Sequence, residues 1–183
     1  MRLLVAVVSV LLALGVSAAE RWRIEIGASQ IGFEYVIDGR PAVGEFTRFS
    51  AAGTLDPDRP ETASFELRID TASIDLGSRL ISAFATSAEW FDSKTYPEAV
   101  FRLVELRPTP DGFRATGDLT IKGRKRRIAA PMQVSLDAAA ARASGALTLD
   151  RRDFGLGLGP SALIVSIAPE VTVRFALEGA PLP

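Results

Sequence analysis

Apolar and polar positions alternate along most of the chain. Trp22, Ile24 and Ile26 alternate with Arg21, Arg23 and Glu25, and Ile31, Phe33, Tyr35 and Ile37 share one face of the next run. Phe65, Leu67 and Ile69 alternate with Glu66, Arg68 and Asp70. A period of two puts one side of an extended chain in a core and the other in water, so each run predicts a strand. Val43 to Phe49 reads as a strand broken by Gly44, and Gly53-Thr54-Leu55 begins another. The pattern resumes at Phe101 and Leu103, then at Phe113 to Ile121, Ile128 to Leu136, Gly145 to Leu149 and Val171 to Leu177.

Turn signals separate these runs. Asp38-Gly39-Arg40-Pro41, Asp56-Pro57-Asp58-Arg59-Pro60, Pro108 to Gly112 and Lys122-Gly123-Arg124 each carry residues that favour reversals or exposed loops. Only one segment changes period. Leu80, Ile81, Phe84 and Ala88 recur at spacings of three and four, which predicts a short helix ended by Tyr96-Pro97. Many short strands with one helix predict an antiparallel all-β domain, either a barrel or a sandwich.

The first residues stand apart from this pattern. Arg2, the apolar run Leu3 to Val16 and the small residues Ser17-Ala18-Ala19 have the form of a secretory signal peptide over residues 1–19. The folded domain is then expected over 20–183, exported after cleavage near Ala19. Removing one Arg and no acid takes the net charge from −1 to −2, which does not suggest a nucleic-acid partner.

Two absences narrow the chemistry. The chain has no Cys, so an exported fold must rest on its apolar core rather than on disulfides. With no His either, the usual zinc and copper sites and histidine-dependent nucleophiles are excluded. The block Lys122 to Arg127 reads as a solvated hairpin tip, with an anionic headgroup site as its sharper alternative. Asp153 to Gly159 lacks the helix a phosphate loop needs and reads as a glycine-kinked strand. Asp70, Asp75, Asp92, Asp118 and Asp153 offer carboxylates, but no spacing singles out an acid–base pair. Aromatic side chains cluster on the inward faces, and sequence leaves open whether they fill the interior or line a hollow one.

An ordered set of motifs resembles the YceI-like family. Gly44-Glu45-Phe46, Ile69-Asp70-Thr71-Ala72-Ser73-Ile74, Trp90-Phe91-Asp92 with Tyr96-Pro97 and Phe101, Gly117-Asp118-Leu119-Thr120-Ile121-Lys122-Gly123 and Arg151-Arg152-Asp153-Phe154-Gly155 follow in family order. The resemblance implies an extended antiparallel lipocalin-like barrel and a periplasmic carrier of polyisoprenoid lipid. It implies no enzyme activity and no cofactor. The ligand expected is an isoprenoid or other long-chain lipid, with a quinone as one example. Its lining is assigned to Phe33, Tyr35, Phe65, Phe84, Trp90, Phe91, Phe101, Leu119, Met132 and Phe175. Transient contact with a membrane or a membrane redox protein, and a homodimer, complete the expected partners.

One segment departs from the family. Its members usually carry histidine in the second-strand region and in the segment before the aromatic triplet. Here that second segment reads Ile81-Ser82-Ala83-Phe84-Ala85. That points to altered headgroup recognition or to a collapsed cavity. The rivals to a carrier are an interaction protein with a filled barrel and a carboxylate-dependent hydrolase.

Overall fold

The computed structural model describes residues 20–24, 26–56, 58–136 and 140–181. The expected leader at 1–19 lies outside them. The alternating runs become eleven strands: β1 (Glu20–Ile24), β2 (Gln30–Ile37), β3 (Arg40–Phe46), β4 (Phe49–Leu55), β5 (Ser64–Asp70), β6 (Ile74–Asp75), β7 (Glu98–Thr109), β8 (Gly112–Ile121), β9 (Arg124–Leu136), β10 (Ala141–Asp150) and β11 (Glu170–Pro181). One helix, α1 (Arg79–Ala85), lies between β6 and β7.

Every pairing is antiparallel, in the order β1-β4-β5-β7-β8-β9-β10-β11-β2-β3-β6. Strand β11 closes the sheet into a barrel by pairing with β1 near Gly179 and with β2 between Thr172 and Ala176. Closure leaves few free edges, and it lets a chain without disulfides hold its shape through ladder hydrogen bonds.

Two tight reversals have local causes. Asp38 and Gly39 take positive φ (49° and 75°), as do Lys122 and Gly123 (48° and 70°). Two-residue hairpin loops with both φ positive match the twist of the strands they join. Arg124 to Arg127 beyond the second reversal are exposed, as the hairpin-tip reading expects. Lys122 is not: its ammonium donates to the carbonyls of Ala88, Glu89 and Gly155, which ties the tip to two neighbouring loops.

Three details differ from the sequence reading. The expected break at Gly44 falls at Thr47-Arg48, where both backbone N–H groups turn to Ser73. Gly44 and Gly53 sit inside β3 and β4. The helix stops at Ala85, because the Ala85 carbonyl accepts from Phe91 N–H and turns carry the chain on to β7. Residues 151–158 form no strand. A tight 3-10 turn spans Arg151–Phe154, capped by the Asp150 carboxylate on Arg152 N–H, and left-handed Gly155 and Gly157 (φ 72° and 62°) carry the chain inward.

That inward turn fills a gap in the wall. Strands β9 and β10 pair only between Met132–Leu136 and Ala141–Gly145, and Pro131 stands where they part. Phe154, 2 % exposed, packs there with Leu119 and Leu156 against Trp90, Phe91, Phe101, Ile121, Ile128 and Leu149. A second cluster of Ile31, Phe49 and Leu177 holds the opposite side.

Candidate functional site

The inward faces of the strands do not meet in the middle. They enclose an apolar cavity of about 360 Å³. Its lining along β10 alone runs from Ala141 to Leu149, about 26 Å of extended chain. Phe65, Leu67, Ile69, Phe101, Val173 and Phe175 face inward yet are only half-buried, because space rather than another side chain lies in front of them. The filled-barrel alternative does not describe this interior.

Four glycines help keep it open. Gly44, Gly53, Gly117 and Gly145 stand at inward positions. A Cβ at each would press on a phenyl ring from a neighbouring strand, Phe33, Phe65, Phe101 and Phe175 respectively, and at Gly53 and Gly145 it would meet the Ser64 and Pro131 carbonyls first. Phe33, Phe65 and Phe175 are the direct cross-strand partners of their glycines, and Phe101 is a diagonal neighbour. Each ring therefore lies back over bare backbone. On one side of the barrel Tyr35, Phe33, Phe46 and Phe91 continue as a chain of ring contacts at 5.5–5.9 Å. Partial burial raises the pKa of the Tyr35 phenol.

All ten residues assigned from sequence line this cavity: Phe33, Tyr35, Phe65, Phe84, Trp90, Phe91, Phe101, Leu119, Met132 and Phe175. Phe84 and Ile81 of α1 also reach solvent, at 46 % and 45 % exposure, and so mark a mouth. Behind Phe84 the Trp90 ring stands 6.5 Å away. Trp90 and Phe91 therefore form the wall inside the entrance, with Phe84 at its rim.

The family-like motifs help build this wall. Asp70 caps the turn after β5 through Ala72 N–H, and buried Thr71 donates to the Tyr96 and Pro97 carbonyls. Asp118 pairs outward with Arg127 and Lys125; the hydrogen bond from Arg127, helped by the two positive charges, holds its carboxyl below the usual range. The five candidate carboxylates converge nowhere in the cavity, whose lining contains no Asp or Glu. No cluster of three or more metal-ligating side chains occurs among the described residues.

Sequence reasoning missed the two charged residues of the lining, Arg142 and Arg151. Arg142 is paired with Glu178 at the β10–β11 ladder. Arg151 is more unusual. Its Nε donates to the Ala168 carbonyl at 3.1 Å, Nη1 to Leu156 and Gly157, and Nη2 to Ile167 at 2.7 Å. Its guanidinium carbon lies 5.3 Å from the centroid of the Trp90 ring. Burial lowers the Arg151 pKa, with the neighbouring Arg152 adding to the effect. It makes no ion pair among the described residues, and fixes the chain from Leu156 to Ala168 across the mouth. Nothing in the local pattern separates it from Arg152, which faces outward onto Asp150.

Comparisons with known proteins agree with this geometry. The YceI-like domain matches residues 22–179. A UPF0312 protein of Photorhabdus laumondii is 26 % identical over 136 residues, covering 68 % of this chain and 71 % of its own. The crystal structure of Burkholderia cenocepacia BcnA superposes with a TM-score of 0.78 at 32 % identity, over 85 % of this chain and 98 % of that one. A polyisoprenoid binding domain from Saccharophagus degradans, implicated in plant cell wall breakdown, superposes with a TM-score of 0.69 at 18 % identity, over 90 % and 100 %. That last likeness concerns the fold.

Proposed function

The chain belongs to the YceI-like family, and from that premise we propose that it is a periplasmic lipid carrier whose barrel holds an isoprenoid or similar long apolar chain. The hollow apolar interior carries this reading. An apolar tail leaves water with a gain of roughly 0.8 kcal/mol per carbon, so about 4 kcal/mol per five-carbon unit. Three such units give about 12 kcal/mol, and ordering costs of about 4 kcal/mol leave micromolar affinity. The lining offers contact area and few directional bonds, so it selects for the tail more than for the headgroup. A polyprenyl quinone fits that description. The polyisoprenoid binding domain of Saccharophagus degradans has the same fold and supports the ligand class.

We read the protein as a carrier rather than a catalyst because no carboxylate reaches the lining. Native mass spectrometry and organic extraction of protein from its own host test the reading. A co-purifying lipid of long apolar chain is the expected result. A clean apoprotein that also fails to take up added polyprenyl lipid would sink the proposal.

A further inference from the structure

The mouth carries a second feature that the cavity does not explain. Leu163 and Ile164 are 90 % and 85 % exposed, Leu80 is 81 % exposed, and Leu158, Ile81 and Phe84 are each about half exposed. These side chains come from only two segments, 80–88 and 155–169, and neither contains a single charged residue. The segments are joined at the mouth. Glu89 accepts from the N–H and hydroxyl of Ser161, and the Gly157 N–H donates to the Glu89 carbonyl. Large apolar side chains that protrude next to one another mark an interaction surface.

The basic hairpin tip borders the same surface. Lys122 binds carbonyls of both segments, at Ala88 and Gly155, and the Arg124 guanidinium packs over Gly155. The run 122–127 contains five basic residues. Asp118 engages only Arg127 and Lys125, and Arg124 and Arg126 make no ion pair among the described residues. An uncharged apolar collar beside a basic cluster is complementary to an anionic lipid bilayer, whose interface takes apolar side chains while its headgroups attract Lys and Arg.

We infer that this collar docks on an anionic membrane surface, so that a lipid tail passes between bilayer and cavity without crossing water. Ile81 and Phe84 belong to both the collar and the cavity lining, which makes the apolar path continuous. Each methylene drawn through water would otherwise slow desorption about fourfold. A protein partner or a second copy would call for charged groups that fix register, and the two collar segments contain no charged side chain. The inference extends the carrier reading by naming where the ligand is exchanged.

Flotation of lipid-free protein with vesicles of phosphatidylcholine, with and without phosphatidylglycerol, tests the collar alone. Uptake of a detergent-dispersed polyprenyl probe tests the cavity alone, so failure of one reading is distinct from failure of the other. The wild type is expected to float with phosphatidylglycerol-containing vesicles. Leu163→Glu with Ile164→Glu should abolish flotation and leave probe uptake unchanged. Arg124→Ser with Arg126→Ser should weaken binding about fivefold per arginine, on anionic vesicles only. Val104→Glu changes a half-exposed apolar residue on the β7 wall and should have no effect. The inference is overturned if the wild type stays at the bottom of the gradient, or if Val104→Glu is as damaging as the collar pair. A dimer in light scattering that the collar variant disperses would also overturn it, assigning the face to self-association.

Discussion

Ala143→Phe distinguishes a hollow barrel from a filled one by the sign of its effect. Ala143 stands on the inward face of β10, opposite Val134 and Leu177, and lines the cavity while only half-buried. In a packed core, adding a phenyl ring forces neighbours off their rotamers at a cost of about 1–3 kcal/mol. Here a ring that needs about 150 Å³ enters a space of about 360 Å³. Burying it should raise stability by about 1–2 kcal/mol, read as a shift of the urea midpoint at unchanged slope. The same ring displaces about six ligand carbons at about 0.8 kcal/mol each, so affinity for a long polyprenyl probe should fall by about three orders of magnitude. Titration with a quinone-headed probe that quenches Trp90 measures this. Lowered stability with unchanged probe affinity would refute the argument on both counts.

Other outcomes follow from the walls of the cavity and from its charges. Arg151→Leu removes four hydrogen bonds to backbone carbonyls. It should cost about 3 kcal/mol and speed hydrogen exchange across residues 156–168. Arg151→Lys should recover little of this, since a single ammonium cannot span the carbonyls that the fork reaches. The Arg152 side chain and backbone N–H pull the Asp150 carboxyl from 3.8 down to about 2. A depressed carboxylate stabilises the fold above its ordinary value, and that contribution disappears as pH falls from about 4 toward 2. Partial exposure keeps it to about 1 kcal/mol or less. Asp150→Asn should therefore narrow the difference between urea midpoints measured at about pH 5 and about pH 2.5.

The strands were legible because one face of each meets water. Alternation such as Phe65-Glu66-Leu67-Arg68-Ile69 survives any choice of what lies beyond the inner face. For the same reason alternation is silent about hollowness: Phe101 and Phe175 would face inward in a packed barrel too. Asp153 to Gly159 reads as a glycine-kinked strand, and forms a turn instead, because its glycines look like strand interruptions. Its conformation depends on the Asp150 cap and on Arg151 reaching carbonyls up to 17 residues away. Such bonds leave no periodic trace, so half-buried Arg151 looks in the sequence like its exposed neighbour Arg152. The collar has no trace in the pattern either, because the run Leu163-Ile164-Val165 has no period and its exposure follows from how Arg151 and Glu89 pin the ends of its loop.

The glycine–phenyl pairs supply the signal that alternation lacks, and Gly44 allows a test of it. The three atoms nearest a Cβ at Gly44 all belong to side chains, the Phe33 ring from 2.5 Å and Leu76 Cδ2 at 2.6 Å, so the closest clashes are relieved by side-chain movement. Displaced from the wall, the Phe33 ring has the lumen to enter. Overpacking costs about 1–3 kcal/mol, while replacing glycine in a strand returns about 0.5–1 kcal/mol, so Gly44→Ala should fold with a modest loss. Probe uptake should fall much further than stability, because the ring now occupies ligand space. Phe33→Leu in the same chain should restore uptake and relieve the overpacking, giving a coupling in the double-mutant cycle that is larger in affinity than in the urea midpoint. Full uptake by Gly44→Ala would show that the rings do not hold the lumen open. Recovery on shortening Phe33 would make an inward glycine opposite a phenylalanine the mark of a barrel built to be empty.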